Sequence, residues 1–222
     1  MEQVRLGRTG LIASRVGLEL SPLRELSFAA SREALDEAIG RGITFFDLGL
    51  PDRETQKRIG HAIAGRRQDL ILAGSFVPST KQQLEEDIKW MLRDLKTDHL
   101  DLMQIHDPDY VLRPGEASGL FDVLLDAKKA GYIRNIGLTT GDPVMAMNAL
   151  EYGWYDTLQY PWHSGSAEEE LMVLSLCHEA EVGSINVPLE WTPEEADRED
   201  AFQKAYPDHL ALWMLHDDHW RK

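Results

Sequence analysis

Positive charge and cysteine are both scarce in this chain of 222 residues. Its 23 Lys and Arg oppose 38 Asp and Glu, which gives a formal net charge of −15. Nucleic acids and anionic membrane surfaces are bound by clustered basic residues, so this balance argues against both as partners. The single cysteine, Cys177, excludes an internal disulfide and any zinc site built from cysteines.

Long apolar runs are absent as well. No stretch of about eighteen apolar residues occurs, as a membrane-spanning helix would require. The opening MEQVRLGRTG is polar where a signal peptide needs an apolar run. With 43% hydrophobic and 27% charged residues, the composition is that of an ordinary globular protein. We therefore expect a soluble cytoplasmic protein that forms one domain over residues 1–222.

Short β-rich runs alternate with longer amphipathic stretches, which is typical of a parallel α/β fold. After a small hairpin, the predicted strands are RVGLEL, ITFFDL, DLILAGSF, HLDLMQIH, IRNIGL, DTLQY and VGSINV. The predicted helices cover 31–40, 53–64, 80–95, 118–130, 143–152 and 168–179, and a last amphipathic run covers 202–216.

The strand ends favour a (β/α)8-type TIM barrel over a doubly wound sheet. No GxGxxG turn follows the first strand, and polar side chains recur at the ends of the strands, where barrel enzymes build their sites. Only seven units are recognisable, so the eighth is expected to be missing. An incomplete barrel has an open edge, which we expect to be closed by contraction of the sheet or by a homodimer.

Two segments carry a resemblance to a known family. LRDLKTDHLDLMQIHDPD at 92–109 and AGYIRNIGLTT at 130–140 resemble the aldo-keto reductase superfamily. RLGRTGLIASRVGLEL, GITFFDLGLPDRETQKRIG, LQYPW and VPLEW are similar to the same family, and HLALWMLHDDHW resembles its seventh helix. The resemblance covers nearly the whole chain and implies the TIM barrel.

The resemblance also implies a catalytic tetrad of Asp, Tyr, Lys and His, of which this chain keeps half. Asp47 and His106 match the first and last positions. The family pattern D-T-A-x-x-Y-G-x-S-E-x-x-I-G counts without a gap onto residues 47–60 and places Asp52 where the tyrosine belongs. Ser75 stands where the lysine belongs. A phenol is a poor proton donor near neutral pH unless a buried ammonium lowers its pKa, so these replacements predict that hydride transfer is lost.

The cofactor site implied by the resemblance is eroded in the same way. The family binds the cofactor's phosphates with its eighth strand and the segments after it, and Arg221 and Lys222 stand where that strand is expected to begin. Thr139 and Thr140 occupy the usual Ser-Asn positions, whereas Gln159, which faces the nicotinamide in the family, is kept. A strongly negative chain without a basic pocket should repel NADPH. The prediction is therefore that no cofactor is bound.

The candidate catalytic residues are four carboxylates and one histidine at strand ends. His106 is predicted to act as general acid or base with Asp47 orienting it, and Glu19, Asp52 or Glu190 to make the complementary proton transfer. Asp47 and His106 could instead be structural remnants, Asp52 equally suits a solvated helix start, and the two glutamates suit an exposed rim. No HxH, HExxH or DxD spacing supports a metal site, and none is predicted.

Further polar and aromatic side chains are predicted to line a substrate pocket. They are Ser75, Tyr110, Thr140, Gln159, Tyr160, Trp162, Asn186 and Trp191. Aromatic rings near barrel loops favour an apolar or cyclic ligand. Alternatively, the rings cover the gap left by the missing unit or form a dimer contact.

The predicted function is acid/base catalysis without a cofactor. The reaction would be the cyclisation, elimination or isomerisation of a small organic substrate, as in a lyase or isomerase. Two alternatives stay open. One is an NADP-dependent aldo-keto reductase in which another group replaces the tyrosine, and the other is a non-catalytic protein that binds a ligand in the barrel mouth.

Overall fold

A small antiparallel hairpin precedes the main sheet. The computed structural model describes residues 1–50, 52–163, 165–187, 202 and 204–215. In it, β1 (Gln3–Arg5) pairs with β2 (Ile12–Ser14). The connecting turn lies against a segment that is distant in the sequence, because the Arg8 amide donates to the Glu181 carbonyl at 2.6 Å.

Eight parallel strands form the main sheet. Along the sheet the order is β10, β3, β4, β5, β6, β7, β8, β9. The strands are β3 (Val16–Glu19), β4 (Phe45–Asp47), β5 (Ile71–Phe76), β6 (Leu100–His106), β7 (Ile133–Thr139), β8 (Thr157–Tyr160), β9 (Gly183–Asn186) and β10 (Ala211–Met214).

The sheet closes into a barrel through β10. This strand pairs with β3 from Ala211 opposite Val16 to Met214 opposite Glu19. On its other side, Leu210 forms a bridge to β9, and its amide donates to the Ser184 carbonyl at 3.1 Å. The barrel class is therefore confirmed, and the open edge that was expected to be closed by contraction of the sheet or by a homodimer is paired with β10.

The eighth strand was expected to be missing, and Ala211–Met214 supplies it. The run 202–216 was predicted to be helical because its apolar residues suit an amphipathic helix. ALWM is a short, continuous apolar segment, which periodicity alone does not assign to a helix or to a buried strand. Its first three residues are buried in the barrel wall, where both faces of a parallel strand are covered.

Six helices lie between successive strands within the described residues. They are α1 (Phe28–Gly40), α2 (Arg53–Ala62), α3 (Lys81–Leu95), α4 (Leu120–Ala130), α5 (Pro143–Tyr152) and α6 (Glu168–Glu179). Polar N-caps fix several starts. In α3 the Thr80 hydroxyl accepts from the Gln83 amide, and Leu84, Ile88 and Met91 then recur on one buried face.

Two hydrophobic clusters occupy the two faces of the sheet. The larger lies between the strands and the helices. The smaller fills the barrel interior and includes Phe45, Leu102, Ile185 and Leu212, with Leu6 of the hairpin turn packed against it. The interior is thus apolar toward the N-terminal ends of the strands, and polar side chains follow at the C-terminal ends.

The described part of the chain has no helix that is long and apolar enough to cross a membrane.

Asn186 contributes a side-chain bond to the closure of the barrel, so Asn186→Ala is expected to destabilise the fold. The Asn186 side-chain oxygen accepts a hydrogen bond from the Leu212 amide of β10. Alanine leaves that buried donor without its acceptor, which costs about 1–3 kcal/mol. Urea denaturation followed by circular dichroism measures the loss. The control Asn148→Ala, at an exposed position of α5, should change the free energy of unfolding little, and equal effects of both variants would contradict the assignment.

Candidate functional site

Inward-facing polar side chains gather at the C-terminal ends of the barrel strands. Successive residues of a strand point to opposite faces, so the interior positions of Phe45 and Leu102 turn Asp47 and His106 inward as well. The same alternation applies along each neighbouring strand. The inward-facing group consists of Glu19, Asp47, Ser75, His106, Thr139 and Gln159.

A hydrogen-bonded network joins opposite walls of the barrel through Gln159. Its amide nitrogen donates to the Asp47 carboxylate at 3.0 Å. Its amide oxygen accepts from the Thr139 hydroxyl at 2.7 Å and from the Gln104 amide at 3.3 Å. All four side chains are buried, so their positions are fixed by this network rather than by solvent.

Asp47 is a buried carboxylate whose partners are neutral. Its second oxygen accepts from the Gly49 amide at 2.7 Å. Burial raises the pKa of Asp47, while the bonds from Gly49 and Gln159 and the charge of His106 oppose that rise. No ion pair formed by the described residues includes this carboxylate at 4 Å or less.

Glu19 lies beside Asp47 at the mouth, opposite it in the register of β3 and β4. It is 6% exposed, and its two carboxylate oxygens accept from the Ser21 amide at 3.0 Å and the Ser21 hydroxyl at 2.8 Å. Burial, and then the Asp47 charge, raise the pKa of Glu19 to about 7. At neutral pH this side chain is therefore present in both its protonated and its charged form.

His106 is the most accessible member of the inward-facing group. Its side chain is 34% exposed, and its Nε2 atom lies 3.4 Å from the Asp107 carboxylate. Asp107 has a backbone φ of +40°, an unusual conformation for a residue other than glycine. The Asp107 amide donates to the Thr139 carbonyl at 2.9 Å, which ties this turn to β7.

The two replaced tetrad positions differ in their surroundings. Asp52 is an exposed N-cap of α2 that accepts from the Glu54 amide at 2.8 Å and from the Thr55 amide at 2.9 Å. These bonds lower the pKa of Asp52, so it is a poor proton donor and corresponds to the helix-start alternative. Ser75 is buried on β5 opposite Gln104.

Four predicted pocket residues lie outside the inward-facing group. The Thr140 hydroxyl accepts from the Asp142 amide in the turn before α5. Asn186 follows the interior residue Ile185, so it faces away from the barrel interior. Tyr160 and Trp162 pack together in the core with their ring centres 5.1 Å apart, and each is about 1% exposed or less. Core packing therefore occupies both rings, contrary to the expectation that they face a ligand.

The other predicted residues fall into two groups. Tyr110 is 49% exposed and borders a cavity of about 480 Å³ between the loop after β6 and α5. None of the inward-facing group lines that cavity. Glu190 and Trp191 lie outside the described residues.

The groups that hold the two carboxylates were not predicted from the sequence. Gln104 and Thr157 extend the network below Gln159, and Ser21 and Gly49 hold Glu19 and Asp47. Gln104 was detectable as the one amide in the otherwise apolar core of LDLMQIH. Among the described residues, no three His, Cys, Asp or Glu side chains converge in a way that could hold a metal ion.

The chain belongs to the aldo/keto reductase family. The model of this family matches residues 16–189, which include the barrel strands from β3 to β9. This finding confirms the resemblance carried by the sequence.

Two curated relatives come from Bacillus subtilis (strain 168). The uncharacterized oxidoreductase YqkF is 34% identical over 158 residues, covering 64% of this chain and 50% of the relative. The aldo-keto reductase YhdN is 27% identical over 195 residues, covering 78% and 57%. The chain thus spans about half the length of the curated relatives it matches.

A solved structure shares the fold. The aldo-keto reductase from Klebsiella pneumoniae in complex with NADPH superposes with a TM-score of 0.72 at 19% identity. The superposition covers 96% of this chain and 84% of that one.

These comparisons overturn the prediction of a cofactor-independent, non-redox enzyme of the lyase or isomerase type. The relatives are named as an oxidoreductase and an aldo-keto reductase, and the Klebsiella structure holds NADPH. The prediction that no cofactor is bound was wrong for the same reason. That prediction gave too much weight to the net charge and to the expected absence of an eighth strand, which the structure shows to be present.

Glu19→Gln is expected to stabilise the protein at pH 8 and to change its stability little at pH 4. The pKa of Glu19 rises from 4.5 to about 7 on folding. The contribution of protonated Glu19 to the free energy of unfolding is therefore fully present below pH 4.5 and is lost as the pH rises through 7. The neutral amide avoids this loss, which is worth about 1–3 kcal/mol at pH 8.

Urea denaturation at both pH values measures this effect. Glu33→Gln, at an exposed position of α1, is the control and should shift the free energy of unfolding at neither pH. A Glu19→Gln variant with the same gain at pH 4 and pH 8 would show that the charge of Glu19 is not responsible.

Proposed function

We propose that this protein is an NADP-dependent oxidoreductase that reduces the carbonyl group of a small molecule at the C-terminal mouth of the barrel. The observation that carries the proposal is the inward-facing group around Asp47, His106 and Gln159 in a barrel of the aldo/keto reductase family. The names of the relatives and the NADPH complex of the Klebsiella protein support the same reaction class.

The donor set at the mouth suits the carboxamide of a nicotinamide ring. Gln159 offers an amide and Thr139 a hydroxyl, and these neutral groups can exchange hydrogen bonds with a neutral carboxamide. Gln159 is also the residue that faces the nicotinamide by resemblance to the family. We assign Gln159 and Thr139 to hold that end of the cofactor. When bound, reduced NADP supplies a hydride to the substrate carbon.

His106 is assigned to the carbonyl oxygen of the substrate. Its side chain combines exposure with a place in the inward-facing group, so a substrate entering the mouth can reach it. Asp107 holds the Nε2 side of the ring, and the charge of His106 acts on Asp47. A hydrogen bond from the imidazole would stabilise the negative charge that develops on the oxygen.

The replaced tyrosine and lysine positions favour a second candidate, a protein that binds the same ligands without turnover. Asp52 is a helix cap and Ser75 carries no charge, so neither reproduces the proton donor that the resemblance implies. The two candidates differ in one observable, which is consumption of NADPH.

We expect the protein to bind NADPH and to oxidise it in the presence of small aldehydes or ketones. His106→Ala should lower kcat/KM by about 100-fold, as expected for the loss of a positioned acid or hydrogen-bond donor, while the dissociation constant for NADPH stays the same. The decrease in NADPH absorbance measures kcat/KM, and fluorescence titration measures the dissociation constant for NADPH.

His178→Ala is the matched control because its side chain is 76% exposed on α6. It should leave both quantities unchanged. Binding of NADPH without consumption across a panel of carbonyl compounds would favour the binding protein, and absence of binding would refute the proposed function.

A further inference from the structure

Two buried carboxylates adjoin at the mouth of the barrel. Glu19 and Asp47 are register partners on β3 and β4, with exposed fractions of 6% and 3%. Burying one unpaired carboxylate is costly, and burying two side by side adds their mutual repulsion. A pair of this kind in a folded protein needs an explanation in terms of protons or counter-charges.

The turn after β4 holds both carboxylates. The Gly49 amide donates to Asp47 at 2.7 Å. The space where a Cβ atom of Gly49 would stand is taken by a Glu19 carboxylate oxygen. Gly49 has a φ of +61°, so glycine suits both the backbone and the contact. Together with the two bonds from Ser21, this geometry fixes the Glu19 carboxyl group next to Asp47.

Little positive charge from the described residues reaches the pair. Arg24 acts on Glu19 and His106 acts on Asp47. Ser75 stands at the position where the resemblance to the family implies a lysine. A nearby lysine would hold both carboxyl groups in their charged form. Without it, burial and mutual repulsion favour a proton on one of the two, and the pKa of Glu19 is accordingly about 7.

Apart from His106, which is assigned to hydrogen-bond the carbonyl oxygen, the tyrosines of the core and Asp52 are poorly placed to donate a proton at the mouth. The Tyr155 hydroxyl donates to the Leu112 carbonyl in the core, and burial raises the pKa of that phenol. The ring of Tyr160 is packed against Trp162. Asp52 caps a helix as a carboxylate.

We propose that Glu19 is the proton donor of the reaction, a role that rests on the proposed reductase function. With NADPH bound, a hydride would reach the carbonyl carbon, and the carbonyl oxygen would accept the proton from Glu19. One O–H bond breaks at the Glu19 carboxyl group and one forms on the product alcohol. The Glu19 carboxylate then takes a proton back from solvent. Asp47 is a positioning residue that keeps the proton on its neighbour.

Carbon-13 NMR of protein labelled at the glutamate and aspartate carboxyl carbons tests this role without turnover. We expect one glutamate resonance to titrate with a midpoint of about 7, to vanish in Glu19→Gln and to move to a lower midpoint in Asp47→Asn. The control Glu33→Gln should leave the Glu19 resonance and its midpoint unchanged. A Glu19 midpoint near the ordinary value of 4.5 would overturn the proposal.

Kinetics provide the second readout. Glu19→Gln should lower kcat by about 100-fold and leave the NADPH dissociation constant unchanged, whereas Glu33→Gln should alter neither. We expect the activity of the wild-type protein to decline above pH 7, and the remaining activity of Glu19→Gln to lack this decline. Full kcat in Glu19→Gln would overturn the donor role.

Measurement of NADPH binding to the wild-type protein separates the two proposals. A wild-type protein that neither binds nor oxidises NADPH would refute the reductase function, and the donor role would fall with it. A wild-type protein that oxidises NADPH, with Glu19→Gln equally active, would refute the donor role alone.

Discussion

The pairing of β10 with β3 on one side and with β9 on the other is the constraint from which the rest of the structure follows. A parallel sheet that is open leaves unpaired edges, whereas a closed ring satisfies the backbone of every strand and places all C-terminal ends around one mouth. Gln159 can reach Asp47 across that mouth because the ring is closed. The bridge between β9 and β10 consists of one residue pair, Ile185 and Leu210. The Asn186 side chain adds a further hydrogen bond to the backbone of β10.

Within this barrel, Asp47 is a buried carboxylate with no lysine from the described residues beside it, and its burial lowers the stability of the folded state. Asp47 accepts from a backbone amide and from Gln159, which are neutral donors, and Glu19 stands beside it. Neutral donors stabilise a buried charge less than a cation does, so the pKa of each of the two carboxyl groups lies above its usual value. The arrangement destabilises the folded state. Such groups are common at functional sites, where reactivity is favoured over maximal stability.

The barrel was predictable from the sequence because long alternating segments such as HLDLMQIH and the helix that follows Thr80 are strongly patterned. The eighth strand was not, since ALWM has no period that separates a strand from a helix.

Among the site residues, Asp47, His106, Glu19, Ser75 and Gln159 were placed at the mouth by their positions at strand ends, and the pleat turns them inward. Tyr160 and Asn186 point to the outer face of their strands, and Thr140 lies in a turn. These orientations become visible only once the strand registers are known. Net charge is weak evidence against a cofactor because it averages over the whole surface.

The contact between Gly49 and Glu19 limits what position 49 can carry. A Cβ atom there would overlap a Glu19 carboxylate oxygen, and the backbone φ of +61° is one that residues other than glycine rarely adopt. The family pattern that the sequence resembles has alanine at this position. An alanine at 49 would require the Glu19 carboxyl group to move from its bonds with Ser21, so glycine at 49 is matched to a carboxyl group at 19.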